Sequence, residues 1–373
     1  MKKVLGCVCV LCLAASLAGA ADTIKIGLMA PLTGAWASEG QEMKQIVDLL
    51  AEEMNAQGGL LGKQIEVIAE DDGGDPKTAA LAAQRLSTQG VVVSIGTYGS
   101  SITEATQNIY DESEIIQIAN GSTAVRLSEK GLKYFFRTNP RDDEQGRVAA
   151  DTLVNAGYKK IAILHDNTTY AKGLADETKV LLEEKEGIEI VFYDALTPGE
   201  NDYTAILTKL KAAEPDVIFA TTYYPETGLL LRQKKEMGWD VQIVGGDANN
   251  NPDLIKIAGP EAAQGYDLVT PPVPHDLPTE KAQGFLAAFE KKYGGTPGSI
   301  WAVLAGDGFL VITAAIEATH STEADVLADY LHDQMEDFPG LTGNLSFNEK
   351  GDRVGEVYRV YTVDATGTFV LKQ

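Results

Sequence analysis

Short apolar runs alternate with segments of helical period along almost the whole chain. "IKIGLMA" at 24–30 has the length of a buried strand, and a helix follows over about 38–57 until Gly58 and Gly59 stop it. "QIEVIAED" predicts the next strand and "DPKTAALAAQRLSTQG" the next helix, with Asp75 as its N-cap and Pro76 in the first helical position. The rhythm restarts near Lys160, where "KIAILHD" echoes "IKIGLMA" and "PDVIFATTYYPETG" echoes "VVVSIGTYGSS". Between them lie a helix over about 170–186, a strand over 189–193 and a helix over 203–213. After Pro271 the order changes to long helices at 279–293 and 301–319, then a strand pair at 357–363 and 368–371. Two α/β units of similar size, each built on a mainly parallel sheet, are the simplest architecture. The echo between halves is one of pattern and not of residues.

Composition then narrows the setting. Lys2 and Lys3, an apolar stretch over 4–17 and the A-x-A of Ala18-Gly19-Ala20 predict an export signal cleaved after about Ala20, and hence a periplasmic location. All three cysteines, Cys7, Cys9 and Cys12, fall within it, so the mature chain has neither disulfides nor thiol chemistry. "VLGC" ending at Cys7 comes too early in the apolar region for a lipid-modified cysteine. Removing Lys2 and Lys3 from the 31 basic residues leaves 29 against 54 acidic, a net charge of −25, which repels nucleic acid and anionic lipid. The 353 residues after Ala20 exceed what one core ordinarily supports, so two domains are expected.

Enzyme motifs fail concrete checks. The turn after the first strand, "APLTGAWASEG", has neither dinucleotide nor phosphate-loop spacing, and no nucleophile elbow surrounds Ser100. His165, His275, His320 and His332 lack metal-ligand spacing. The acidic group Glu70, Asp71, Asp72 and Asp75 is explained by helix capping better than by calcium. No cofactor or metal is expected, and neither is an enzyme.

Strand ends carry the candidate chemistry. Ser101 and Glu104 have capping-box spacing, which leaves Thr97 and Ser100 at a strand's carboxyl end, where ligands lie in open α/β sheets. A second hydroxyl cluster, Asn120, Gly121, Ser122 and Thr123, follows the next strand. Either cluster alone reads as a turn; together they suit a carboxylate. In the second half, Tyr170, Tyr223 and Tyr224 follow buried strands and could wall a small molecule. Asp247 follows two glycines, and Asp142 begins a helix; each fits a cap or a ligand contact. Hydroxyls on one lobe and carboxylates on the other match a zwitterion.

These same segments resemble the leucine/isoleucine/valine-binding proteins, the type I solute receptors of branched-chain amino-acid ABC importers. The resemblance spans nearly the whole mature chain and is carried by "IKIGLMAPLTGAWASEGQ", "GGLLGKQIEVIAEDDGGDP", "IGTYGSS", "FFRTNPRDDEQG", "AILHDNTTYAKGLA", "TPGENDYTAIL" and "TTYYPETGLLLRQ". It implies a type I periplasmic-binding-protein fold: two Rossmann-like lobes with mainly parallel sheets, joined by three crossings that act as a hinge. The expected division is a signal peptide at 1–20, an N-terminal lobe of 21–140 plus 272–337, and a C-terminal lobe of 141–271 plus 338–373. By the same resemblance the ligand carboxylate meets Ser100 and the backbone and hydroxyls of Gly121, Ser122 and Thr123. The ammonium meets Asp142 and Asp247, and Tyr170 and Tyr223 close from the second lobe. The implied partners are an amino acid and the membrane subunits of an ABC permease, with the receptor itself a monomer that binds no nucleic acid. Three positions depart from the family. Glu39 stands where the side-chain pocket has an aromatic, with Trp36 close by; Gly99 replaces a disulfide cysteine; Asp247 replaces a glutamate found in some members. The alternatives are an amide, urea-like or aromatic-acid ligand, or a sensing module without transport.

Overall fold

The computed structural model describes residues 23–372, so the predicted export signal lies outside the described residues. The first sheet forms from β1 (Thr23–Ala30), β2 (Gln64–Asp71), β3 (Val93–Ile95), β4 (Ile116–Ala119) and β5 (Phe135–Arg137), alternating with α1 (Ala37–Ala56), α2 (Pro76–Ser87) and α3 (Ser100–Glu112). Then come α4 (Asp142–Asn155), β6 (Lys160–His165), α5 (Thr169–Glu183), β7 (Glu189–Ala195), α6 (Thr204–Ala212), β8 (Val217–Ala220), α7 (Tyr224–Glu236) and β9 (Gln242–Gly245). Short helices α8 (Asp253–Ala258) and α9 (Pro260–Ala263) lead into β10 (Asp267–Thr270). The chain ends with α10 (Glu280–Tyr293), α11 (Ile300–Thr319), α12 (Ala324–Asp333), β11 (Phe338–Pro339), β12 (Asn344–Leu345), β13 (Arg359–Val363) and β14 (Phe369–Leu371).

The first sheet is parallel throughout, in the order β2-β1-β3-β4-β5. The second runs β14-β13-β10-β9-β8-β6-β7, parallel except for β13 and β14 at one edge. Strand order therefore reverses between β1 and β3 in one sheet and between β6 and β8 in the other. At such points the loops beyond the carboxyl ends diverge and open a crevice. The continuous apolar runs of β1, β4 and β8 follow from helices covering both faces of these sheets.

Local chemistry sets the boundaries. Asp75 accepts the Thr78 amide at 2.8 Å with Pro76 beside it, as the sequence predicts. Thr168 and Thr279 cap α5 and α10, and α10 stops at Gly294 in the left-handed region. Length and composition alone would let α11 cross a membrane. In the fold it is apolar nearly all round because it is enclosed by α1, β3 and β4. Met43, Ile46, Val47 and Leu50 of α1 are buried, each worth about 1.5–3 kcal/mol relative to exposure.

The last segment departs from the expected division. Residues 338–353, expected with the second lobe, attach to the first: Asp307 of α11 accepts amides of Leu341 and Thr342, and Arg353 donates to the Thr138 carbonyl at 3.1 Å. Glu144 of α4 takes the Val357 amide at 2.9 Å, so the passage to the second sheet falls between these contacts. The strand-pair pattern at 357–371 marks only where this tail joins its sheet. A fully buried Arg137 at the end of β5 pairs with Asp352 and also holds the carbonyls of Ser122 and Ala124 at 3.1 and 3.0 Å. Asp352→Ala would strand this buried guanidinium. The expected cost is about 3–5 kcal/mol in denaturant unfolding; a loss below about 1 kcal/mol would show that the pair is not what ties this segment down.

Candidate functional site: a cleft between two sheets

Every part of the site extends from the carboxyl end of a strand or from a crossing between the sheets. On the first lobe, Ser100 is the first residue of α3, and its hydroxyl accepts the Ala124 amide at 3.2 Å, which links the loops after β3 and β4. Gly121 permits that closeness, since a Cβ there would lie 2.8 Å from Tyr98. The Ser122 hydroxyl turns into the lobe, donating to the Thr97 carbonyl at 2.9 Å and pairing with Thr103 at 2.7 Å. It is thus committed elsewhere, contrary to the expectation that it meets a ligand. Thr123 is fully buried, and its hydroxyl has no hydrogen-bond partner among the described residues.

The charged part of the cleft is acidic. Asp142 and Asp247 are at most 1 % exposed. Both carboxyl oxygens of Asp142 lack a hydrogen-bond partner among the described residues. Asp247 accepts the Tyr358 hydroxyl at 2.7 Å, and its carbonyl takes the Trp301 indole N–H at 3.3 Å. Burial, and then the charge of Asp247, push Asp142 well above the usual carboxylate range; the adjacent Thr123 hydroxyl and Arg137, already paired, offset this only in part. Burial raises Asp247 to about 7 despite help from Tyr358, Tyr170 and Gln145. Such an arrangement accepts a proton or a cationic ligand group.

Aromatic rings close over this floor. Tyr223 packs against Trp36, Tyr170 and Tyr98 with centroids 4.4, 5.3 and 5.7 Å apart. The Tyr98 hydroxyl donates to the Ala248 carbonyl at 3.3 Å, while the Ala248 amide donates to the Tyr170 hydroxyl at 3.3 Å. Gly246 makes room, because a Cβ there would fall 2.3 Å from that hydroxyl. Tyr224 reaches across the cleft to the Ala35 carbonyl at 2.9 Å, so the conformation is closed.

A family model described as periplasmic binding protein matches residues 23–368. The chain belongs to the periplasmic binding protein family. Among its relatives is a leucine-, isoleucine-, valine-, threonine- and alanine-binding protein of Pseudomonas aeruginosa, 34 % identical over 359 residues, 95 % of this chain and 94 % of the other. A Leu/Ile/Val-binding protein homolog of Brucella abortus is 35 % identical over 357 residues, 94 % of each chain. Two solved structures superpose over nearly the full length. A leucine-binding protein of Thermotoga maritima gives a TM-score of 0.86 at 26 % identity, covering 94 % of this chain and 98 % of that one. A branched-chain amino-acid transporter substrate-binding protein of Streptococcus pneumoniae, in complex with isoleucine, gives 0.85 at 30 % identity, covering 93 % and 98 %. The type I binding-protein fold expected from the sequence is the one observed.

Within this receptor the structure gathers Ser100, Gly121, Thr123, Asp142, Tyr170, Tyr223 and Asp247 around one cleft, with Trp36 at its edge. Glu39 is wholly buried and accepts the Asn251 amide at 3.2 Å from the opposite lobe. Two local readings change. Ser101 and Glu104 form no capping box: Ser101 accepts the Thr169 amide at 3.0 Å, and Glu104 takes the Thr169 hydroxyl at 2.8 Å and an ion pair from Arg126. They tie the two lobes together. Asp142 caps nothing; Asp143 takes the Glu144 amide instead. Tyr358, Trp301 and Tyr98 also line the site, although nothing local in "GEVYRV" or "SIWAVL" marks a cleft.

The acid pair sets a pH dependence. A carboxyl whose folded pKa is raised contributes stability that is intact below its unfolded value and lost as pH rises through the folded value. For Asp247 that window runs from about 4 to about 7. Over it, the ligand-free wild type should lose up to about 4 kcal/mol relative to Asp247→Asn, less by whatever opening and hydration of the cleft relieve. Parallel stability–pH curves for the two proteins would contradict the buried-acid account.

Proposed function

We propose that this protein is an exported receptor of an ABC importer, which captures an amino acid as its zwitterion between the two lobes and presents it to the permease. The observation that carries this reading is the buried Asp142–Asp247 pair, set in a cleft that also presents Ser100 at the start of α3 and the Thr123 hydroxyl beside Asp142. An ammonium supplies the positive charge that the acid pair lacks, and hydroxyls and amides at the start of α3 suit a carboxylate. Tyr170, Tyr223 and Trp36 then cover the ligand.

The binding of leucine, isoleucine and valine by the relatives supports an amino acid of this size class. An aromatic acid or a urea-like amide brings no cation, so closing the cleft on it would require the acid pair to take up protons instead. The lobes divide in this reading at the passages near 139–141, 271–278 and 354–357. The receptor works as a periplasmic monomer, released from its signal after about Ala20, and catalyses no reaction.

A thermal-shift and calorimetric panel over the twenty amino acids tests the proposal. Ligand at about a hundred times its Kd adds roughly 2.7 kcal/mol, a shift of a few degrees for a chain of this length. Asp247→Ala should weaken the best ligand by about ten- to a hundredfold while keeping the fold, because a charge-assisted hydrogen bond contributes about 1.5–3 kcal/mol. Near-normal affinity in that variant, or no shift with any amino acid, would overturn the assignment.

A further inference from the structure

Glu39 occupies the first turn of α1, fully buried, with its carboxyl directed at the opposite lobe. Oε2 accepts the Asn251 amide at 3.2 Å, whereas Oε1 has no hydrogen-bond partner among the described residues. Its neighbours place it at the cleft and not in the lobe interior. Asn251 follows the short turn Asp247–Asn249 and its cap Asn250, and the charges of Glu39 and Asp247 both act on the Tyr98 hydroxyl. That hydroxyl donates to Ala248, next to Asp247, so Tyr98 bridges the region of the acid pair and the region of Glu39. Trp36, one turn before Glu39, packs edge-on to Tyr98 at 5.4 Å.

A structural role at the start of α11 accounts for only part of this carboxyl. The start of α11 lies opposite, yet Glu42 already accepts the Gly298 and Ser299 amides at 2.8 and 2.9 Å, and the Ser299 hydroxyl takes the Trp301 amide at 3.1 Å. Burial, reinforced by Glu42, pushes Glu39 to about 8, although the Ser299 hydroxyl, the Asn251 side chain and the Ala302 N–H all lie close enough to favour its ionised form; of these only Asn251 makes a well-formed hydrogen bond, and Oε1 is left without one. A buried carboxyl with hydrogen-bonding capacity to spare is poor company for a hydrocarbon, which excludes water and satisfies nothing. A ligand side chain bearing O–H or N–H would complete it.

We propose that Glu39 is a specificity-determining residue that makes this receptor prefer an amino acid whose side chain donates a hydrogen bond, a hydroxyl or carboxamide, over the hydrocarbon of the same shape. The inference rests on the amino-acid reading of the cleft and adds the chemistry of the side chain to it.

Two near-isosteric pairs test it by titration calorimetry on the mature protein: threonine against valine, and asparagine against leucine. Sites built to hydrogen-bond a ligand group discriminate strongly against analogues lacking it. The wild type should bind the polar member of at least one pair tenfold or more tightly. Glu39→Gln, which keeps hydrogen-bonding capacity, should retain that preference, and Glu39→Leu should erase or reverse it. Hydrocarbon members binding as well or better in both pairs would overturn the proposal without any variant, as would an unchanged ratio in Glu39→Leu. A structural Glu39 would weaken both members of a pair alike. Failure of every amino acid to bind is a different result, which removes the receptor reading itself.

Discussion

Asp142 and Asp247 are buried in one cleft, close enough that the charge of Asp247 raises Asp142, and Arg137, whose charge partly offsets this, is committed to Asp352. Closing the lobes over two carboxylates with no positive charge is unfavourable, because desolvation of each ion costs several kcal/mol. The closed form therefore depends on a proton or an ammonium at that point. This makes closure conditional: cross-lobe contacts such as Tyr224 to Ala35 and Thr169 to Glu104 are available whenever the lobes meet, while the acid pair decides when meeting is favourable. The ligand's charge and the protein's conformation are then coupled through one electrostatic constraint.

The fold supplies that constraint with rigid supports. Strand order reverses in each sheet where the loops bearing Ser100, Tyr170 and Tyr223 emerge, so the walls of the cleft are strand ends and helix starts. Arg137 fixes the carbonyls of the Ser122–Ala124 loop from beneath and, through Asp352, anchors the tail that goes on to deliver Tyr358 to Asp247. A single buried guanidinium thus connects the hydroxyl-bearing loop with the segment that completes the acidic side.

Much of this was legible in the chain, for identifiable reasons. Apolar runs such as 24–30 and 160–165 announce buried parallel strands, and Asp75-Pro76 announces a helix start, because those signals act within a few residues. The candidate residues Asp142, Asp247, Tyr170 and Tyr223 stood out by following apolar strands or opening a helix. What escaped depends on distant partners. Ser101 and Glu104 have cap spacing, yet Thr169, which lies 65 positions beyond Glu104, claims both. Tyr358 reaches Asp247 across 111 positions, and residues 338–353 join the first lobe through Asp307, which no periodicity reports. Glu39 is legible as a departure at the side-chain-pocket position; its complete burial and unpartnered oxygen are not.

The most direct test of the acid-pair account removes only the ammonium. The tightest-binding amino acid would be compared by calorimetry at pH 7.5 with its desamino carboxylic acid, which keeps the carboxylate and the side chain. Two charge-assisted contacts at about 1.5–3 kcal/mol each predict a loss of about two to four powers of ten in affinity. Comparable affinity for the two compounds would contradict it, and would mean that Asp142 and Asp247 close without needing the ligand's charge.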